Sequence, residues 1–224
     1  MLQTSTLKFL KELQKNNNKP WFDANRKAYE AAKADFSGFV QMIIDKHGKH
    51  DPSIAHLAAK DCTFRINRDV RFSKDKSPYK NNMGAYMSKD GKKGFAAGYY
   101  FHMQPGGSFC GGGLYMPPPE LLKNVRQEID YNWKEFYKII NSKKFKAVFG
   151  DLSTEGDMKL SRPPKGYEAD NPAIEYIKLK SWVGTQAFSD ADLTSKDLVK
   201  KVTANFETLQ PLIAFLNEGL HAGE

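Results

Sequence analysis

Cysteine is nearly absent from this chain. Cys62 and Cys110 stand far apart with no CxxC pair, which excludes a disulfide framework and suits a reducing compartment. Both are read as small buried apolar residues. Long apolar runs are missing too. The longest, Phe95 to Phe101, falls far short of the roughly 20 residues a helix needs to cross a bilayer. Met1 to Leu13 alternates polar with apolar residues and lacks the continuous apolar core of a secretory leader. A soluble cytoplasmic protein with no membrane partner is the expectation.

Catalytic signatures are equally sparse. The chain has no HExxH and no GxSxG, and His47, His50 and His56 lack metal-ligand spacing and neighbouring cysteine pairs. No metal site is expected and no cofactor is implied. Gly111-Gly112-Gly113 has neither the GxGxxG spacing of a dinucleotide site nor the Lys-Ser/Thr ending of a P-loop. The sequence therefore names no reaction, and whether the protein is an enzyme stays open.

What is present is an ordinary globular composition, 40% hydrophobic and 27% charged over 224 residues. That length can bury a substantial core and is close to one large domain, so a single domain over residues 1–224 is expected. A net charge of +8 would mean little beyond solubility if it were spread evenly. It is not. Arg65, Arg68, Arg71, Lys74, Lys76 and Lys80 face only Asp69 and Asp75 within the same stretch, which holds half the excess.

Periodicity outlines the elements. Leu7, Leu10 and Leu13 share one side of a short helix that Ser5 can cap and that Asn16 to Pro20 ends. The next helix carries Phe22, Tyr29, Ala32, Phe36, Phe39 and Ile43 as its apolar stripe, close to the 3.6-residue period. From Cys62 to Phe72 the period falls to two. Cys62, Phe64, Ile66, Val70 and Phe72 face one way, Thr63, Arg65, Asn67, Asp69 and Arg71 the other, and Arg68 breaks the pattern. Further strands are predicted at Met83 to Ser88, Phe95 to Met103, Ser108 to Met116 and around Lys178 to Thr185. Gln104-Pro105-Gly106-Gly107 joins the middle two as a type II turn. A helix opened by Pro117 to Pro119 carries Leu122, Val125, Ile129, Trp133, Phe136 and Ile140. Asn171-Pro172 reads as the cap and first-turn proline of a short helix. A closing helix carries Leu198, Val202, Phe206, Leu209, Ile213 and Leu216, with Pro211 expected to kink or split it. Together these predict an α+β fold, an antiparallel β-sheet packed against helices from the N- and C-terminal parts of the chain.

The run from Arg65 to Asn82 (Arg-Ile-Asn-Arg-Asp-Val-Arg-Phe-Ser-Lys-Asp-Lys-Ser-Pro-Tyr-Lys-Asn-Asn) is accompanied by four shorter segments in the same chain. These are Asn25-Arg26-Lys27-Ala28-Tyr29-Glu30, Pro105-Gly106-Gly107-Ser108-Phe109, Gly111-Gly112-Gly113 and Arg162-Pro163-Pro164-Lys165-Gly166-Tyr167. In this order they resemble the uncharacterised bacterial and fungal family called domain of unknown function 2461. The resemblance extends from about Thr6 to Asn217 and implies a fold family, not an activity. It also implies that histidine often stands ahead of Pro172, where this chain has Asn171.

Arg65 and Arg71 lie on one predicted face but roughly 20 Å apart along a straight strand, too far to grip one phosphate unless the chain bends. The plainer reading is a solvated polar face. Arg68 either turns toward the apolar side or sits on a bulge at Asn67-Arg68-Asp69. In both cases its guanidinium needs a carboxylate or an anion, and Asp170 and Glu175 are the candidate partners. Lys74, Lys76, Tyr79, Lys80, Asn81 and Asn82 add groups suited to phosphate or carboxylate oxygens. Arg162, Lys165 and Tyr167 could complete an anion pocket if their loop folds over. In the predicted hairpin Tyr100 falls opposite Gly111 and Tyr99 opposite Gly112, rings filling missing side-chain volume, unless the glycines admit a ligand. His102 shares a face with Tyr100 and Phe109. It, Asp170 and Glu175 are the acid–base candidates, against structural roles in a strand and a helix cap.

The leading expectation is a small phosphate- or carboxylate-bearing ligand in a basic cleft. Nucleic-acid binding ranks second, on a partial RNP1 echo in Lys93 to Tyr100 that fails at Ala97 and Gly98. A protein-interaction module is the third reading.

Overall fold

A computed structural model describes residues 1–154, 156 and 158–221, except the side chain of His221. Helices α1 (Thr4–Lys15), α2 (Lys19–Ala24) and α3 (Arg26–His47) open the chain. The predicted second helix is therefore two, interrupted at Asn25, whose side-chain amide donates to the Trp21 carbonyl at 2.9 Å. Asn18 caps α2 by accepting the Trp21 N–H at 3.0 Å. Ser5 does not cap α1. Asp35 of α3 takes that role from a distance, its carboxylate accepting the Gln3 backbone N–H at 2.9 Å and the Thr6 hydroxyl at 2.6 Å.

The segment from Cys62 to Phe72 is not a strand. Cys62 closes the short helix α4 (Ala59–Cys62), and beyond it only isolated antiparallel bridges form, Thr63 with Ala85 and Asn67 with Tyr79. The Phe64 N–H donates to the Gly84 carbonyl at 3.0 Å, and the Lys80 N–H donates to the Ile66 carbonyl at 2.8 Å. Between these bonds one residue, Arg65, stands against three, Asn81 to Met83, so the bulge falls there and not at Asn67 to Asp69. After Arg68 the chain turns away. Asp69 accepts the Arg71 N–H at 3.2 Å and Asp75 accepts the Ser77 N–H at 2.9 Å, local side-chain turns that compete with strand pairing. Phe72 is left 96% exposed and Phe64 43% exposed. The alternation had no second buried face to satisfy.

Four strands form an antiparallel sheet in chain order: β1 (Met83–Met87), β2 (Gly98–Met103), β3 (Ser108–Leu114) and β4 (Trp182–Phe188). The β2–β3 turn is the expected type II, with the Gly107 N–H on the Gln104 carbonyl at 3.0 Å and Gly106 at φ 70°. β2 starts later than predicted because the Asn217 side chain claims both Ala97 backbone groups, at 2.8 and 3.2 Å. The glycines of β3 are not covered by rings as expected. A Cβ on Gly111 would meet the Gly184 carbonyl oxygen at 2.5 Å, so backbone presses on backbone there, while the Tyr100 ring lies over Gly84.

Contacts divide the molecule into two compact units. The first comprises residues 1–92, 100–110 and 187–204; the second comprises 93–99, 111–186 and 205 onward. In the first, Phe36 and Phe39 of α3 pack on Phe101 with ring centroids 6.3 and 4.8 Å apart. The short helix α9 (Asp190–Leu193) closes a local capping box between Ser189 and Asp192. In the second, the helix predicted after Pro119 breaks at Asn132 into α5 (Pro119–Tyr131) and α6 (Trp133–Ile140), followed by α7 (Lys143–Phe149) and α8 (Ile174–Ile177). α10 (Leu198–His221) ends the described chain and is not split by Pro211. An internal proline costs about 3 kcal/mol, whereas each fully buried Leu, Ile or Phe returns about 1.5–3 kcal/mol. Leu209, Leu212, Ile213, Phe215 and Leu216 are all buried around it. Among the described residues no helix is long and apolar enough to cross a membrane.

Candidate functional site

An open hollow of about 420 Å³ in the first unit is lined by Phe64, Arg68, Asp69, Lys80, Asn82, Gly84, Tyr100 and His102. The irregular pairing of residues 63–68 with 78–85 delivers the first group of these, and β1 and β2 deliver the rest.

Lys80 is half-buried, its ammonium 5.6 Å from the Phe64 ring centroid. Burial lowers its pKa, and the like charge of Arg65 lowers it further. Among the described residues no carboxylate pairs with it. A cation partly withdrawn from water beside another cation is favoured by any anion that enters.

Arg68 has the partner its position demanded, but not Asp170 or Glu175. Its guanidinium donates to the Asp75 carboxylate, to the Ser77 carbonyl at 3.1 Å and to the Ser73 hydroxyl at 3.3 Å. Among the described residues this engages three of its five N–H groups. The Ser77 hydroxyl and backbone N–H, then Arg68, hold the Asp75 carboxyl at about 2. Asp69, the one acid lining the hollow, is bound by Arg71 through Nε at 3.0 Å and Nη2 at 2.7 Å. Those bonds lower its pKa.

Across the hollow the Tyr100 hydroxyl lies 2.9 Å from His102 Nδ1, and His102 Nε2 lies 3.0 Å from Gln104 Oε1. The imidazole stacks on Phe109 at 4.8 Å. Burial lowers the His102 pKa and the Gln104 bond partly opposes that. The shared face expected for Tyr100, His102 and Phe109 is present.

Other expected ligand residues sit elsewhere. Tyr79 is a core residue, only 6% exposed, with its ring 3.9 Å from that of Phe22 and its N–H on the Asn17 side chain at 3.1 Å. Arg65, Arg71 and Lys74 are exposed, and Asn81 is half-buried beside the hollow without lining it. Arg162, Lys165 and Tyr167 belong to the second unit, where burial and then the Asp130 charge raise the Tyr167 phenol. Asp170 is exposed, and Glu175 pairs with Lys159 at 2.7 Å and Lys178 at 3.3 Å. Asn171 serves structure, accepting the Ala173 N–H at 2.8 Å and donating to Asp130 at 2.6 Å. Among the described residues no three His, Cys, Asp or Glu side chains converge as a metal site would require.

Sequence reasoning passed over Phe64, Asp69, Gly84 and Tyr100 as site residues, while Asn82, one of the two asparagines it counted as suited to anion oxygens, does line the hollow. The signal that could have found Tyr100 is its alternation with His102 and Gln104; none marked Gly84, whose role depends on the ring above it.

No curated protein and no solved structure matches the chain. The model of one family, described as "Conserved hypothetical protein (DUF2461)", matches residues 5–215, nearly the whole length, and the chain belongs to that family.

Proposed function

We propose that the hollow binds a small anionic ligand, phosphate- or carboxylate-bearing, between Lys80 and Arg68. The observation that carries the reading is the half-buried Lys80 ammonium with no carboxylate partner among the described residues. Arg68 is held rigid by Asp75, Ser73 and Ser77 while keeping N–H groups to spare. Asn82 adds an amide at the same wall. A guanidinium and an ammonium on one concave surface match the oxygens of such a group. The nucleic-acid reading loses ground, because Tyr99 of the RNP1 echo is fully buried against Phe206 at 4.8 Å and offers no base a stacking face.

The test is thermal stabilisation by inorganic phosphate, sugar phosphates, nucleotides and dicarboxylates. A ligand at about 100 times its Kd should add roughly 2.7 kcal/mol, saturably, and Lys80→Met should abolish the response without lowering the unliganded Tm. If no compound stabilises the wild type, or Lys80→Met responds as the wild type does, the reading fails. Binding that weakens steeply with salt and prefers polynucleotides would favour nucleic acid instead.

A further inference from the structure

Charge attraction makes no use of one arrangement in the hollow. Tyr100, His102 and Gln104 follow at intervals of two along β2 and its end, so their side chains share one face. An amide oxygen only accepts, so the Gln104 Oε1 contact puts the ring proton on His102 Nε2. In the neutral ring Nδ1 is then a bare acceptor, and the Tyr100 hydroxyl donates to it at 2.9 Å. This is an orienting group, a base and a reacting hydroxyl in sequence, the order of roles found in activated side chains. Phe109 fixes the ring plane. Gly84 leaves room for the phenol, since a Cβ there would lie 2.6 Å from the Tyr100 oxygen.

We infer that Tyr100 and His102 form a base relay that removes a proton from the ligand bound at Lys80 and Arg68; the inference rests on the anion-binding reading above. The Tyr100 oxygen accepts a proton from an O–H or acidified C–H of the ligand while its own phenolic proton passes to His102 Nδ1. The ring becomes imidazolium, with Nε2–H still held by Gln104. The electron pair of the broken bond stays on the ligand as negative charge facing the two cations. One proton moves and nothing is oxidised or reduced. The ligand class is thereby narrowed to phosphate- or carboxylate-bearing compounds with a hydroxyl or activated C–H beside the anionic group. Tyr100 is the catalytic residue, His102 stores the proton and Gln104 positions the ring.

Burial keeps the ring below the ordinary histidine range, so it is unprotonated and able to accept near neutral pH. Around the hollow the groups facing it are Lys80, Arg68 and the Arg71-bound Asp69, with Tyr100 on its own strand and the uncharged Phe109 from β3.

The experiment is ¹⁵N NMR of the histidine-labelled full chain, with inorganic phosphate as the probe. At pH 7.5 His102 should show a protonated Nε2 and a bare Nδ1. Tyr100→Phe should raise its pKa by removing a donor to the neutral ring, and Gln104→Met should lower it by removing an acceptor from the charged one, both variants keeping wild-type amide spectra. Saturating phosphate should raise the pKa by roughly half a pH unit or more as an anion arrives nearby. An Nδ1–H tautomer, or Tyr100→Phe without effect, overturns the relay. If phosphate stabilises the protein but leaves His102 unmoved, the relay does not face the ligand and falls while anion binding stands. If phosphate and the other anions fail to bind while the tautomer and the opposed shifts appear, it is the anion reading that falls.

Discussion

Gly113→Ala should be among the most damaging single-methyl additions to this protein. Gly113 stands in β3 at φ 127°, where a Cβ would lie 1.9 Å from the Trp182 carbonyl oxygen, 3.0 Å from its carbon and 3.1 Å from the Val183 Cα. All three are backbone atoms of β4 or its start, so no rotamer relieves the clash. Holding alanine in that backbone region costs about 1–3 kcal/mol, and forcing the strands apart adds the roughly 1–3 kcal/mol of overpacking. The expected loss of about 2–6 kcal/mol is a large part of the 5–15 kcal/mol that holds a domain folded. Urea denaturation, compared with Gly106→Ala, measures it. Gly106 has φ 70° but nothing within 4 Å of its would-be Cβ, so that variant isolates the backbone strain at roughly 1 kcal/mol. If Gly113→Ala costs no more than Gly106→Ala, β3 is not pressed on the Trp182 carbonyl.

Gly38→Ala, in the middle of α3 with open space around it, should stabilise by about 0.5–1 kcal/mol in the same assay; a loss would mean the site is not helical. Burial pushes the Cys62 thiol up to about 11, and Cys110 is buried too, so neither should react with a disulfide reagent until urea unfolds the chain. Rapid labelling of the native protein would contradict their placement. Asp75 titrates at about 2 in the fold, below its ordinary value, so what it contributes is complete above the unfolded value and disappears as pH falls through 2. In a carboxylate NMR titration Ser77→Ala and Arg68→Ala should each raise it, since each removes a hydrogen bond to the carboxylate; no rise in either would mean the loop is not closed in this way. His102 is also depressed, so the stability it contributes is full above the ordinary histidine value and declines as pH drops through the folded one. His102→Phe should flatten that dependence between pH 8 and pH 5 in urea titrations, and an unchanged slope would show that His102 is not the group responsible.

The helical stripes were legible because a period of 3.6 over several turns needs no knowledge of the partner. Ala32, Phe36, Phe39 and Ile43, and the whole series from Leu198 to Leu216, are buried as spaced. The type II turn was legible for the same reason, since Pro105 and Gly106 impose their backbone angles locally. The segment from Cys62 to Phe72 misled because a period of two says which side chains share a face, not whether anything covers that face. Helix starts misled where a remote group did the capping, as Asp35 does for α1.

The basic stretch from Arg65 to Lys80 divides along the same line. Its two-residue period singled out Arg68 as a guanidinium in need of an anionic partner, although the strand that period implied does not form. Only the tertiary structure decided that the partner is Asp75, seven residues on and reached by a loop the side chains themselves close. Only the tertiary structure, likewise, set Lys80 and Arg68 in the same hollow as Gly84, Tyr100 and His102. Local periodicity carries the faces of single elements, whereas a site is made where register and bulges align faces of different elements, and those depend on the packing of the whole unit.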